Sequence, residues 1–334
     1  MRGSRKKWYL IAGLVAIVAL AAIIATGCAA TDVDMEEPMV SAENCGQCHN
    51  DTTLVLAKRL QWDASMHAMG TSYGRSTSAS CAGCHSSEGK IAMVDAGMSS
   101  PAELTEGITN PTPPNCRGCH EIHETYTSAD WALRTEDPVT LYATGATFDM
   151  GEGNLCASCH QSRRQMVVEN GMVNVSSTHW GPHHGPQSDM LLGLNGAGVS
   201  GTPSVHYMVV TEGCPTCHMV NDRHEMEANI TSCQSCHADS ENFDIGGVQT
   251  EVEALIEELA VALSAKHMLE TAEHEPYHAG VSLEDLHPVV GEYTEAEAGA
   301  LWNYIMIQIE DGSNGVHNPK YTIELLETSI AALK

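Results

Sequence analysis

Cysteine and histidine carry the chemistry legible in this sequence. Cys45-Gly46-Gln47-Cys48-His49 is followed by Cys81-Ala82-Gly83-Cys84-His85 and Cys116-Arg117-Gly118-Cys119-His120. Cys156-Ala157-Ser158-Cys159-His160, Cys214-Pro215-Thr216-Cys217-His218 and Cys233-Gln234-Ser235-Cys236-His237 complete the set, which uses all but one of the 13 cysteines. Two thiols on one turn can reach two edges of a single porphyrin and form thioethers with its vinyl groups. The histidine that follows then takes an axial position on the iron. A lone copy fits a redox dithiol or half a zinc site equally well. Six copies do not, because zinc gathers ligands in fours and has no need of a histidine after every second cysteine. A disulfide framework has no such need either. The pattern therefore predicts six covalently bound haem c groups, with His49, His85, His120, His160, His218 and His237 as proximal iron ligands.

Over residues 45–237 the chain resembles the multihaem c-type cytochromes. Gly315-Val316-His317-Asn318-Pro319, followed by a helix, resembles the C-terminal helices of the pentahaem nitrite reductase and hydroxylamine oxidoreductase group. The first resemblance implies electron transfer, with other redox proteins or an extracellular acceptor as partners. Its members include periplasmic carriers, outer-surface conduits and filament-forming cytochromes, so a homo-oligomer or filament belongs to the expectation. The nitrite reductases mark their catalytic haem with C-x-x-C-K, whereas all six motifs here end in histidine. An electron carrier with no catalytic residue is the favoured reading. The alternative is a multihaem reductase of nitrite or hydroxylamine type with one open iron. Arg163 and Arg164 are the nearest basic candidates for such a site, and propionate pairing is their competing role.

What fills the sixth position on each iron separates these readings, since a bis-histidine iron is closed to substrate. Twelve histidines lie outside the motifs, enough to close every site. His206 lies eight residues before Cys214 and His224 nine before Cys233, a repeated offset that suits delivery of a distal imidazole. His123 follows His120 by three residues, and the resemblance implies that such a histidine ligates the next haem along. His67 precedes the second motif. His179, His183 and His184 share the cluster His179-Trp180-Gly181-Pro182-His183-His184, where His179 and His184 compete for one place. Met66, Met69, Met219 and Met226 are rival ligands that would raise the haem potential. Of the later histidines, His267, His274, His278 and His287 read as solvated, and Pro276 argues against a continuous helix joining His274 to His278. His317 could reach back to a haem.

These sites need elements to position them, and composition says which are available. Sixteen lysines and arginines face 43 aspartates and glutamates, a net charge of −27. Four of the bases (Arg2, Arg5, Lys6 and Lys7) lie at the extreme N-terminus, so the remainder is more acidic still. That excludes a nucleic-acid binder and an anionic-membrane binder, and it suits cationic redox partners. Only two phenylalanines are present. The deficit makes sense if porphyrins supply the apolar interior, in which case the region is unfolded without haem.

Residues 1–27 read as an export signal, basic and then apolar from Trp8 to Ala25. Ala25-Thr26-Gly27-Cys28 resembles a lipoprotein cleavage box with Cys28 lipidated, although alanine stands where leucine is usual. Anchoring by lipid or by an N-terminal helix both stand, and either places the protein outside the cytoplasm, in the periplasm or at the outer membrane and cell surface. Residues 28–40 form an acidic tether and 41–245 the hexahaem region. That region is mostly irregular, with short helices such as Leu54–Trp62 that offer Leu54, Leu56, Leu60 and Trp62 for burial. Residues 246–334 form a haem-free helical tail. Val252, Leu255, Ile256, Leu259 and Leu263 share one face of a helix spanning 248–270. Thr294 and Glu297 open a second helix as a capping box, and Asn318-Pro319 open a third. The fold class is thus mostly irregular with short α-helices, a haem-cored region followed by a helical tail, and little or no β-sheet.

Overall fold

The computed structural model describes residues 48–49, 54–98, 103–183, 185–278 and 280–334. The export signal, Cys28, the acidic tether, Cys45 and His184 lie outside the described residues. Residues 44–334 form one compact unit. Among the described residues, no helix is long and apolar enough to cross a membrane.

The haem-motif region is a series of short helices joined by irregular backbone. Helix α1 (Leu54–Asp63) leads to a single turn at Met66–Met69, then to α2 (Ala79–His85) and α3 (Ser87–Asp95). Ser86 ends α2 and caps α3, accepting a hydrogen bond from the Gly89 amide at 3.2 Å. Gly89 is required there: a Cβ would meet the Ala82 carbonyl at 2.1 Å, so the two helices cross in backbone contact. Next come α4 (Cys116–Cys119), the two-residue hairpin β1 (Val139–Thr140) with β2 (Thr147–Phe148), and α5 (Gly153–Ala157). Strand β3 (Met172–Val175) precedes α6 (Gln187–Leu192), α7 (Val205–Val209), α8 (Cys214–His218) and α9 (Ile230–Cys233).

Helix α10 (Val248–Ala265) buries Val252, Ile256, Leu259 and Leu263, with Leu255 half-buried. It ends five residues earlier than its pattern suggests. His267 takes a left-handed φ of 56°, which turns the chain into β4 (Leu269–Glu270) to pair with β5 (His287–Pro288). Strand β6 (Gly291–Thr294) pairs antiparallel with β3, Met172 opposite Thr294 and Val175 opposite Gly291. The Thr294–Glu297 capping box opens α11 (Glu295–Tyr304). A π-helical segment, Ile305–Asp311, continues it to Gly312, which closes the helix at φ 65°. Asn318 accepts from the Tyr321 amide with Pro319 at the first turn, opening α12 (Pro319–Leu333).

The side-chain core lies between α10, α11 and α12, and it reaches back to Val173, Val175, Trp180 and Met190. Trp180 meets Trp302 edge to face with ring centres 5.1 Å apart. A smaller cluster gathers Leu141, Phe148 and Leu191. Among the described residues between Leu54 and Asp137, the only buried hydrophobic ones are Trp62, Ala82 and Met93. Leu54, Leu56 and Leu60, expected to be buried, are 63, 58 and 61 % exposed. The first two line the cavity described next, which explains apolar side chains turned away from protein.

Candidate haem cavity

A continuous cavity of about 2570 Å³ runs through the motif region. It exceeds an ordinary ligand pocket of roughly 300–1,000 Å³ several-fold. All six motif histidines line it, as do His67, His123, His206, His224 and His317. Cysteines of every motif face it or the adjoining small pocket that holds Cys81, Cys84 and His85. The eleven described motif cysteines form no disulfide. No group of three or more Cys, His, Asp or Glu among the described residues converges to hold a lone metal ion. Exposed Met66, Val205, Met208 and Val209 also turn into the cavity.

Imidazole spacing is the most informative measurement. Ring centres lie 6.1 Å apart for His49 and His123, 5.9 Å for His160 and His67, 6.2 Å for His120 and His224, and 6.4 Å for His218 and His317. Each pair joins one motif histidine to one outside the motifs. Two metal–nitrogen bonds of about 2 Å, with about 1.2 Å from each nitrogen to its ring centre, put trans imidazoles about 6.4 Å apart. The four pairs, at 5.9–6.4 Å, lie at or a little below that separation. The residues therefore fit haem c: the sulfurs, the paired imidazoles and the apolar lining are those an iron porphyrin needs.

Hydrogen bonds fix the tautomers. Nδ1 of His120 donates to Trp131 O (2.7 Å), that of His206 to Val316 O (2.8 Å), that of His218 to Met226 O (3.2 Å) and that of His224 to Asp222 O (2.8 Å). His160 donates to Gln187 Oε1 at 3.2 Å, and His317 to Asp311 Oδ1 at 2.7 Å. A proton held on Nδ1 leaves Nε2 bare for a metal. Burial, helped by neighbouring His160, lowers the His67 pKa to about 4. Burial likewise lowers those of His218 and His224. These rings are neutral at pH 7, the form that ligates.

Local structure explains how the distal candidates arrive. His123 has a left-handed φ of 70°, and its amide donates to Asp130 Oδ2 at 2.8 Å. The same buried carboxylate accepts from Thr125 N, Thr125 Oγ1 and Tyr126 N, so it shapes the whole loop. His123 faces the histidine of the first motif. His224 is held from α1, whose Gln61 Oε1 accepts from the His224 amide at 3.1 Å, while Lys58 donates to Asp222 O. His67 stacks on Trp62 at 5.7 Å.

The motifs also converge on one another. Cys159 Sγ donates to Gly83 O at 3.7 Å and Cys214 Sγ to Gly153 O at 3.9 Å, so the second, fourth and fifth attachment sites adjoin. His183 lies in the small pocket beside His85, where Arg163 Nη1 donates to its Nε2 at 3.2 Å. His179 is exposed, and its ring lies 6.5 Å from that of His287, away from the cavity lining. Of the rival methionines, Met226 offers its carbonyl to His218, and Met66, Met219 and Met226 line the cavity. Sequence reasoning left His317 among the later histidines, as one that could reach back to a haem. The signal that could have raised it is its place just before the Asn318-Pro319 cap, which pins it to the start of α12.

Residues 29–121, spanning the first three motifs, match the family model described as cytochrome c7 and related cytochrome c. That match implies covalently bound haem c. No curated protein matches the chain by sequence. Among solved structures, the fold is similar to the crystal structure of outer cell wall cytochrome OcwA. The TM-score is 0.50 and the sequence identity 20 %, over 82 % of this chain and 50 % of that one. The present chain therefore spans about half the length of that structure.

Proposed function

We propose that this protein is a hexahaem c-type cytochrome that passes electrons outside the cytoplasm through mainly bis-histidine haems. The observation that carries the reading is the set of four imidazole pairs, each combining one motif histidine with one other at trans-ligand spacing. Haem c, when bound, supplies an Fe(III)/Fe(II) couple that takes up and releases one electron. The chain's own work is to anchor, orient and enclose. Cysteine pairs would hold each ring, and His67, His123, His224 and His317 would hold four of the irons and close them to other ligands. His206 and the pair His183/His184 are the candidates for the remaining two, at His85 and His237. The adjacency of the second, fourth and fifth motifs supports ring-to-ring distances short enough for electron hopping. Attachment sites end at His237, and residues 246–334 serve as the haem-free support.

The cytochrome c family match and the similarity to a cytochrome of the outer cell wall support an extracytoplasmic location. Residues 1–27 supply export, and Cys28 or the apolar run supplies the anchor. The strongly acidic composition favours cationic redox partners or a cell-surface acceptor.

The test has two parts. Mass spectrometry of the intact protein is expected to report six added haems. Replacing His67, His123, His224 or His317 by alanine is expected to turn one haem from low-spin to high-spin in the EPR spectrum of the oxidised protein. Unchanged spectra in all four variants overturn the assignment. A second reading, a reductase of nitrite type, draws support from Arg163 beside His183 and His85, where a guanidinium could receive an anion. A high-spin signal in the unmodified protein that changes on adding nitrite favours it.

A further inference from the structure

The His317 imidazole differs from the other cavity-facing rings in what holds it. His120, His206, His218 and His224 donate to backbone carbonyls, and His160 to an amide oxygen. His317 donates to a carboxylate, Asp311 Oδ1, at 2.7 Å, and the Asp311 side chain is 0 % exposed. A buried carboxylate at this distance pulls the Nδ1 proton and gives the ring imidazolate character, which a neutral carbonyl does far less strongly.

Asp311 is built into place. It is the last residue of the π-helical segment, a wide turn that α-helical periodicity would not produce and that often marks functional sites. Gly312 then reverses the chain, so that Ser313 donates through Oγ (2.5 Å) and N (3.3 Å) to Asp311 Oδ2. The turn is pinned from outside as well. Gln187 Nε2 donates to the carbonyls of Glu310 (2.9 Å) and Asp311 (3.3 Å), while its Oε1 accepts from His160 Nδ1. One side chain thus links the ring of the fourth motif to the segment that carries Asp311.

We infer that Asp311 is a positioning residue which orients His317 toward the iron of the haem attached at Cys214 and Cys217, and lowers the reduction potential of that haem below those of its carbonyl-held neighbours. The inference rests on the reading of His317 as an axial ligand. A more basic imidazole stabilises the ferric state over the ferrous, and the second shell is an established lever on both ligand basicity and potential.

Three variants of the haem-loaded full chain test it by stepwise dithionite titration with optical detection, alongside EPR. Asp311→Asn keeps the size and loses the charge. It is expected to leave every haem that is low-spin in the unmodified protein low-spin, and to shift one component of the titration to higher potential. Ser313→Ala removes a donor that shares the carboxylate's charge, and it is expected to shift the same component the opposite way. A merely structural role would not give opposite signs. The serine is half-buried, so this variant reports even where the aspartate change impairs assembly. His317→Ala is expected to make one haem high-spin. If it does so while neither of the other variants moves any component, the tuning role is overturned and the ligation stands. If His317→Ala leaves the spectrum unchanged, both fall.

Discussion

The two halves of the chain keep water out by different means. From Val248 onward, three helices bury their own side chains, and Leu259, Leu263, Leu301, Trp302, Leu325 and Leu326 are all at or near zero exposure. Among the described residues between Leu54 and Asp137, only Trp62, Ala82 and Met93 are buried apolar ones. At about 25 cal/mol per Å² of apolar area, the second half gains a conventional hydrophobic stabilisation that the first cannot match. The first half instead surrounds a cavity lined with leucine, valine and methionine side chains that make sense only against a filled interior. The contrast teaches that one continuous unit can rest on two kinds of core, one encoded in side chains and one delivered as cofactor.

Removing an attachment site challenges this contrast most severely. The fourth motif adjoins the second and fifth, so Cys156→Ala with Cys159→Ala is expected to abolish protection across residues 54–160. Hydrogen exchange should still find α10–α12 protected. Simultaneous loss in both halves would mean a single core after all. Next in size is Leu259→Ala, which opens a cavity in the tail and is expected to cost about 2–5 kcal/mol in chemical denaturation, with haem absorbance unchanged before the transition. A spectrum altered in the native baseline would instead show that packing around Leu259 bears on the haem ligands as well as on the tail core. Asp130→Ala strips four hydrogen bonds from the His123 loop. A loss of roughly 1–3 kcal/mol is expected, together with one high-spin haem in the EPR spectrum. Retention of every low-spin signal would show that the loop holds its shape unaided. The smallest effect is Thr294→Ala, which deletes the helix cap of α11 and should lower stability by about 1 kcal/mol with no spectral consequence.

Much of this organisation was readable from the chain. The attachment motifs, the capping box and the Asn318-Pro319 start are local signals, each decided by residues within one or two turns. The apolar face of α10 was legible for the same reason. The pairing of rings was not, because His120 with His224 and His218 with His317 join residues about a hundred positions apart, and no local periodicity records such a contact. His123 illustrates the difficulty. The family resemblance implied a partner in the next haem along, yet the Asp130-shaped loop turns its ring toward His49. The boundary near residue 246 marks where attachment motifs end. The side-chain core begins earlier, at Val173 and Val175, since β3 pairs with β6. Strands of this length carry too little pattern to announce a partner so distant in sequence. The π-helical segment was equally hidden, because its seven residues read as a plain continuation of α11.

The placement of His317 just ahead of α12 bears on the order of assembly. A chain made and exported from its N-terminus presents all its thiols for haem ligation before this imidazole emerges. With His317 as the proposed ligand, the fifth site would stay half-finished until α12 docks. On that reading, a chain cut before His317 would still offer every attachment motif for pigment, yet would leave one metal accessible to any small molecule in its surroundings.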